Sequence, residues 1–370
     1  MGLKRITATD ALPQLATFDA VIDARSESEF AEDHLPGAVN WPSLNDAQRI
    51  VIGTEYKQVS PFDAKKRGAA LVAVNVAQHI QHHVLDKPRG WRPLVYCWRG
   101  GQRSGALAAV LDAIGFSVQV LEGGYREFRR AVIAELQTQP ETLQFQVLCG
   151  RTGSAKSRLL LALAAVGAQV LDLEVMANHR GSVLGLVPGE RQPSQKSFET
   201  QIWLALHKLD PTRPVWVEGE SRTIGRLRLP EPLLEKLRGS PVVQVQMPLA
   251  ARVAFLMQDY VHFVDDVEAF CERLGALREL RGAQTVERWQ QAARDNNSRQ
   301  VVEELLTLHY DPVYLKSMQR NFSGFDQAHV IEVSDGAPVT LQAAAQALAA
   351  RTTAPSERAA SEAHVLRTHP

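Results

Sequence analysis

Short apolar runs alternate along this chain with longer stretches in which apolar residues recur at helical spacing. Ala20 to Asp23, Leu94 to Tyr96 and Val118 to Leu121 read as buried strands. Between the last two, Leu107, Val110, Leu111 and Ile114 fall at i, i+3, i+4 and i+7, one apolar helix face that Gly115 ends. Residues 137–143, opening Gln-Thr-Gln-Pro-Glu-Thr, are polar and aperiodic and read as a linker. A second such pattern follows. Residues 145–149 form a strand and residues 157–166 a helix stopped by Gly167. Residues 169–173, 215–217 and 242–245 read as strands, 249–308 as mostly helical, and 329–333 as a last strand. The tail 351–370 lacks periodicity and reads as disordered. Strand–helix–strand order predicts an α/β protein with a domain at 1–136 and another at 144–350, the second a parallel-sheet domain with helical additions.

Composition narrows the class. The 370 residues suit two domains, and 41 basic against 41 acidic side chains advertise no global affinity for nucleic acid. Three cysteines, Cys97, Cys149 and Cys271, are too few for a disulfide framework and lack zinc-site spacing. The N-terminus has no signal-peptide apolar core, and the longest apolar run, 159–166, is too short to span a membrane. A reduced, cytoplasmic setting is expected.

Residues 97–104, Cys-Trp-Arg-Gly-Gly-Gln-Arg-Ser, follow a strand and open a helix. Trp98, Gly100, Gly101 and Gln102 make a loop whose backbone N–H groups can converge on an anion, with Arg99 and Arg103 adding charge. That field favours thiolate, so Cys97 is a candidate nucleophile or group carrier. The plainer reading is a structural cysteine in a tight turn. Five residues separate Cys97 from Arg103, a ring wide enough for a phosphate-sized anion.

Residues 150–157, Gly-Arg-Thr-Gly-Ser-Ala-Lys-Ser, also join a strand to a helix. They fit the phosphate-loop pattern except for Ala155, which stands where glycine is usual. Gly150, Arg151, Thr152, Gly153, Ser154, Ala155, Lys156 and Ser157 are the candidate pyrophosphate site, with Lys156 on the terminal phosphates and the Ser157 hydroxyl on Mg²⁺. An alanine forced to positive φ costs about 1 kcal/mol. Glu218 and Glu220, at the end of a strand, are candidate acids or Mg²⁺-linked groups, or ordinary strand-end carboxylates. Arg222, Arg226 and Arg228, with His179 and Arg180 in another loop, are candidate RNA or phosphate contacts, against local salt bridges and a structural histidine. The turn 309–314, His-Tyr-Asp-Pro-Val-Tyr, reads as core or turn packing in preference to base stacking. No guanine-reading Asn-Lys-x-Asp follows, which argues against a GTPase switch.

Asp23-Ala24-Arg25, Glu29-Phe30, His34 to Asn40 and Leu121 to Tyr125, with Cys97 between them, resemble the rhodanese signatures. Rhodaneses carry sulfur as a persulfide on this cysteine, and the longer ring resembles that of the cell-cycle dual-specificity phosphatases. A rhodanese-like domain followed by a P-loop NTPase-like domain resembles the bacterial tRNA 2-selenouridine synthase family from about Ile6 to Ala349, most specifically at 96–101, 56–75, the phosphate loop and 217–222. The resemblance implies tRNA with wobble 2-thiouridine as substrate. It implies geranylation of the sulfur by geranyl diphosphate, then replacement by selenium from selenophosphate, supplied by selenophosphate synthetase. Cys97 would carry selenium as a perselenide or join the exchange covalently. The competing expectations are a sulfurtransferase coupled to an ATP-dependent kinase-like domain, a non-catalytic phosphate- or RNA-binding module, and a phosphatase.

Overall fold

The structure is a computed structural model that describes residues 3–179, 191–259 and 266–353. The chain divides into two compact units, residues 1–138 with 192–204, and residues 139–191 with 205–370.

The first unit is built on strands β1 (Lys4–Ile6), β2 (Ala20–Asp23), β3 (Ala38–Asn40), β4 (Pro93–Tyr96) and β5 (Gln119–Leu121). They form one parallel sheet in the order β1-β5-β4-β2-β3. Every residue of β4 is buried, as a central parallel strand covered on both faces requires. The chain leaves β2 toward β3 and then returns to β4 on the other side, so the carboxyl ends of β2 and β4 flank a topological switch point where ligands bind in such sheets. Helix Gln102–Ile114 starts there and ends at Gly115, whose φ of 111° only glycine adopts cheaply. The face expected at 107, 110, 111 and 114 is half realised. Leu107 and Leu111 are buried in the core with Ala108, but Val110 and Ile114 are 39% and 51% exposed.

The second unit holds β6 (Gln144–Gly150), β7 (Gln169–Leu171), β8 (Pro214–Glu218), β9 (Thr223–Ile224), β10 (Leu227–Arg228), β11 (Val242–Gln246) and β12 (His329–Glu332). Five of them form a parallel sheet in the order β12-β11-β6-β8-β7, and β9 and β10 make a separate antiparallel hairpin. Helices Lys156–Ala165 and Pro338–Thr353 cover one face around Leu159, Leu163, Trp216, Leu341 and Ala345. Helices Val267–Gly275 and Ala283–Arg294 pack a separate core around Trp289, the helical addition expected from composition.

Three expectations change. Residues 137–142 of the expected linker are helical, since helix Gly124–Thr138 runs directly into a 3₁₀ turn at Gln139–Thr142 with Pro140 buried. Residues 192–204 pack with the first unit, interrupting the span 144–350. Their attachment is polar as well as apolar. Thr200 donates to Asp33, Trp203 donates to Glu135 at 2.8 Å, and Arg129 pairs with Glu199. Finally, the last helix reaches Thr353, three residues into the stretch read as tail, and residues 354–370 lie outside the described residues.

Candidate functional site

Cys97 stands at the end of β4 and is 3% exposed, while Arg99, Gly101 and Gln102 around it are exposed. The sulfur is therefore the floor of the loop rather than a surface thiol. Burial pushes its pKa up. The Ser104 hydroxyl, 3.2 Å from the sulfur, and the N–H groups of Ser104, Arg99 and Gly101 more than offset this, and the thiol lies below its ordinary value. Gly124 explains the glycine pair in 121–125. Its φ is 62°, and a Cβ there would run into the Cys97 carbonyl and within 2.6 Å of the Gly100 nitrogen. The Tyr125 N–H can then donate to the Cys97 carbonyl at 2.8 Å.

Beneath the loop lies a buried network. Arg25 pairs with Asp23 at 2.6 Å, donates to the Asp33 carbonyl at 2.7 Å, and stands 4.0 Å from the Tyr125 ring centroid. Tyr125 donates to Asp33 at 2.7 Å, and Trp98 stacks on Tyr125. The two arginines of the loop differ. Arg99 offers its backbone N–H to the sulfur, whereas Arg103 is turned to Glu29 at 2.7 Å. Burial raises the Glu29 pKa, but Arg103 and Arg49 outweigh it and keep the carboxylate below its usual range.

The phosphate loop follows β6, the central strand of the second sheet. Gly153 has φ 81°, and a Cβ there would meet the Leu256 side chain at 2.9 Å. Ala155 is the N-cap of helix Lys156–Ala165 with φ 56° and ψ 30°, so the left-handed conformation that glycine favours is imposed on alanine. Arg252, which the sequence did not single out, braces the loop together with Asp311 and Tyr314 of the turn 309–314. Arg252, itself buried, donates from Nε to the Thr152 carbonyl at 2.9 Å and makes a two-pronged pair with Asp311 at 2.9 and 2.6 Å. Arg151 reaches the same Asp311 at 3.7 Å. The Gly150 N–H donates to the Tyr314 hydroxyl, and the Lys156 ammonium lies 5.9 Å from the Tyr314 ring centroid.

Glu218 and Glu220 are joined by a third carboxylate, Glu174, and one oxygen of each lies within 4.8 Å of the others. Topology explains the meeting, because all five strands run parallel and the carboxyl ends of β6, β7 and β8 share one edge. The Ser157 hydroxyl donates to Glu174 at 3.1 Å. Burial, then Glu218 and Glu220, push the Glu174 carboxyl up to about 9. Burial and then Glu218 push Glu220 up to about 7, and burial raises Glu218. Lys156 opposes all three shifts. Among the described residues, Glu218 Oε1 is buried without a hydrogen-bond partner. An orphaned oxygen among carboxylates and a hydroxyl fits a hard cation such as Mg²⁺.

Arg222, Arg226 and Arg228 are all exposed on the β9–β10 hairpin two residues beyond Glu220, with Arg222 paired to Glu231 at 2.8 Å. His179 is buried, which lowers its pKa, and Arg180 lies outside the described residues. The turn 309–314 contributes Asp311 and Tyr314 to the phosphate loop rather than only to packing. A signal for these was faint. Asp311-Pro312 opens a helix after a π-turn at Leu305–Tyr310, a distortion common near functional sites, but period analysis does not detect it.

A family model described as a rhodanese-like domain matches residues 7–131, and one described as the tRNA 2-selenouridine synthase AAA domain matches residues 143–287. The tRNA 2-selenouridine synthase of Nitrosomonas europaea is 33% identical over 363 residues, covering 83% of this chain and 92% of that one. That of Marinobacter nauticus is 33% identical over 80% of this chain and 87% of its own, and that of Alcanivorax borkumensis 37% identical over 65% and 66%. With both halves matched in order and about nine-tenths of the first two relatives spanned, the chain belongs to the tRNA 2-selenouridine synthase family.

Proposed function

We propose that this chain makes 2-selenouridine at the wobble position of tRNA, in the cytoplasm, by geranylating 2-thiouridine and then exchanging sulfur for selenium. The observation that carries the reading is the presence in one chain of two unlike anion sites. One is a thiol held toward its thiolate by Ser104 and loop amides, and the other is a phosphate loop whose Lys156 faces a cluster of three carboxylates, one buried and two half-buried.

In the first step the thiocarbonyl sulfur attacks C1 of geranyl diphosphate. The C1–O bond breaks, pyrophosphate leaves with the bonding pair, and the base loses its N3 proton to solvent. Lys156 and the amides of 150–157 receive the charge that builds on the leaving group. Ser157, Glu174, Glu218 and Glu220 would hold Mg²⁺, which would supply further neutralisation there. Arg226 and Arg228 on the hairpin supply RNA backbone contacts.

In the second step alkylation has made the sulfur a leaving group. The Cys97 thiolate attacks C2, the C2–S bond breaks, and geranylthiol departs after taking a proton from solvent. The selenium of selenophosphate, delivered by selenophosphate synthetase, then attacks C2 and releases Cys97. Water cleaves the Se–P bond and phosphate leaves. A perselenide on Cys97 would instead need a two-electron oxidant that neither selenophosphate nor thiol supplies, so the covalent exchange is the balanced route.

The test is mass analysis of tRNA nucleosides from a strain lacking this chain. Both 2-selenouridine and its S-geranyl precursor should be absent. Cys97→Ser should restore the geranylated nucleoside only, and Lys156→Ala neither. Normal geranylation by the Lys156 variant would refute the assignment of the second unit.

A further inference from the structure

We infer that the first unit holds a seat for the isoprenoid chain of the S-geranylated base, in the groove between helices Asp46–Gln58, Pro61–His83 and Gln102–Ile114. The inference rests on the two-step reading above and locates the chain of its intermediate.

The groove encloses about 1110 Å³. Two helices present apolar positions to it that are patterned for burial but not covered. On helix Pro61–His83, Ala69, Val72, Ala73, Val76, Ala77 and Ile80 fall on one stripe, yet Ala69, Ala73 and Ala77 are exposed. On helix Gln102–Ile114, the groove is lined by Ala106 and by Val110, the position whose spacing predicted core and which is 39% exposed. Tyr56 of the third helix, 48% exposed, also lines it. The alanines leave a channel, not a packed seam.

One part of the groove belongs to the Cys97 loop. Gln102 and Arg103, the first two residues of the helix that opens at that loop, are in its lining. From Arg103 to Val110 the helix advances roughly 10 Å. The eight-carbon backbone of a geranyl chain, with bonds of about 1.5 Å, extends roughly 9 Å. The charge is also complementary. Lys65 and Arg103 line the groove, no carboxylate does, and the chain to be seated is attached to a polyanion. Arg103 shares its charge with Glu29 at 2.7 Å. A thin apolar tail on an RNA base, reaching away from a reacting C2 at Cys97, fits these features.

The test uses the full chain and an anticodon stem-loop RNA carrying either S-geranyl- or S-methyl-2-thiouridine. The readout is the ratio of the two dissociation constants. Each methylene moved from water into an apolar lining is worth about fourfold, so even partial burial of the longer tail should favour the geranyl RNA at least tenfold. Ala73→Phe fills the channel from an exposed position, and Val110→Glu places a carboxylate in it. Each should bring the ratio to within about twofold of unity, with the melting temperature confirming the fold. A ratio that persists in both variants would overturn the inference. So would its absence in the parent chain, or a variant effect confined to free geranyl diphosphate, or a parent chain found to self-associate through this groove and variants that do not. Failure of the reading beneath it looks different, because the parent chain with selenophosphate would then leave the geranylated RNA unconverted.

Discussion

Replacing Arg252 by methionine tests how the phosphate loop is held. The side chain is 2% exposed and carries three charge-assisted bonds, two to Asp311 and one to the Thr152 carbonyl. Methionine fills most of the volume but leaves the Asp311 carboxylate, 14% exposed, facing a neutral side chain. Breaking one side of a buried pair costs about 3–5 kcal/mol. The remaining contact from Arg151, 3.7 Å away on a side chain 48% exposed, returns little of that. In a unit of this size each kcal/mol moves the melting temperature by about 2–4 °C, so the unfolding transition that pyrophosphate stabilises should fall by roughly 6–20 °C. Pyrophosphate affinity should drop at least tenfold, because the Thr152 carbonyl loses its anchor. The assay is urea and thermal unfolding with and without pyrophosphate, in a cycle with Asp311→Leu. If the two residues act as a pair, the double variant should recover much of the loss, with a coupling of about 1–3 kcal/mol. A cost below about 1 kcal/mol for Arg252→Met, or additive losses in the double variant, would refute the brace.

Two further outcomes follow from the same unit. The carboxyls of Glu174 and Glu220 are pushed up to about 9 and about 7 from an ordinary 4.5, so above pH 4.5 the unfolded chain releases protons that the folded one keeps. Without divalent cations, the triad's contribution to stability should therefore be full below about pH 4.5 and decline as pH climbs toward 9. Melting in chelator should show this decline, and Glu174→Gln should flatten it. A profile equally steep in the variant would show that other groups cause it. Ala155→Gly should be nearly neutral. Relief of a left-handed alanine, about 1–2 kcal/mol, is offset by about 0.8 kcal/mol for a buried methyl and about 0.5–1 kcal/mol of glycine chain entropy. A measured gain above about 2 kcal/mol would mean that the loop stores more strain than its backbone angle implies.

Both anion loops were legible in the chain because they are local. A buried strand, closely spaced glycines and a helix start within about eight residues leave few conformations, and the chemistry of Cys97, Lys156 and Ser157 travels with them. The phosphate loop even showed its weak point, since Ala155 sits where φ is positive. Most strands announced themselves for the same reason, as short apolar runs between turn residues. What surrounds the loops was not written locally. Glu174, Arg252, Asp311 and Tyr314 read as ordinary surface or packing residues until a parallel sheet gathered the carboxyl ends of its strands and a π-turn aimed one helix at the loop. Burial, too, is a property of the whole fold. It decided that Cys97 lies at the floor of its loop, that Val110 is left beside an open groove, that residues 192–204 join the first unit, and that the carboxyls of Glu174, Glu218 and Glu220 are raised above their ordinary range. Spacing along a chain specifies period and turn. Which faces end up covered depends on free energy summed over contacts between residues far apart in sequence, and only the folded structure carries that sum.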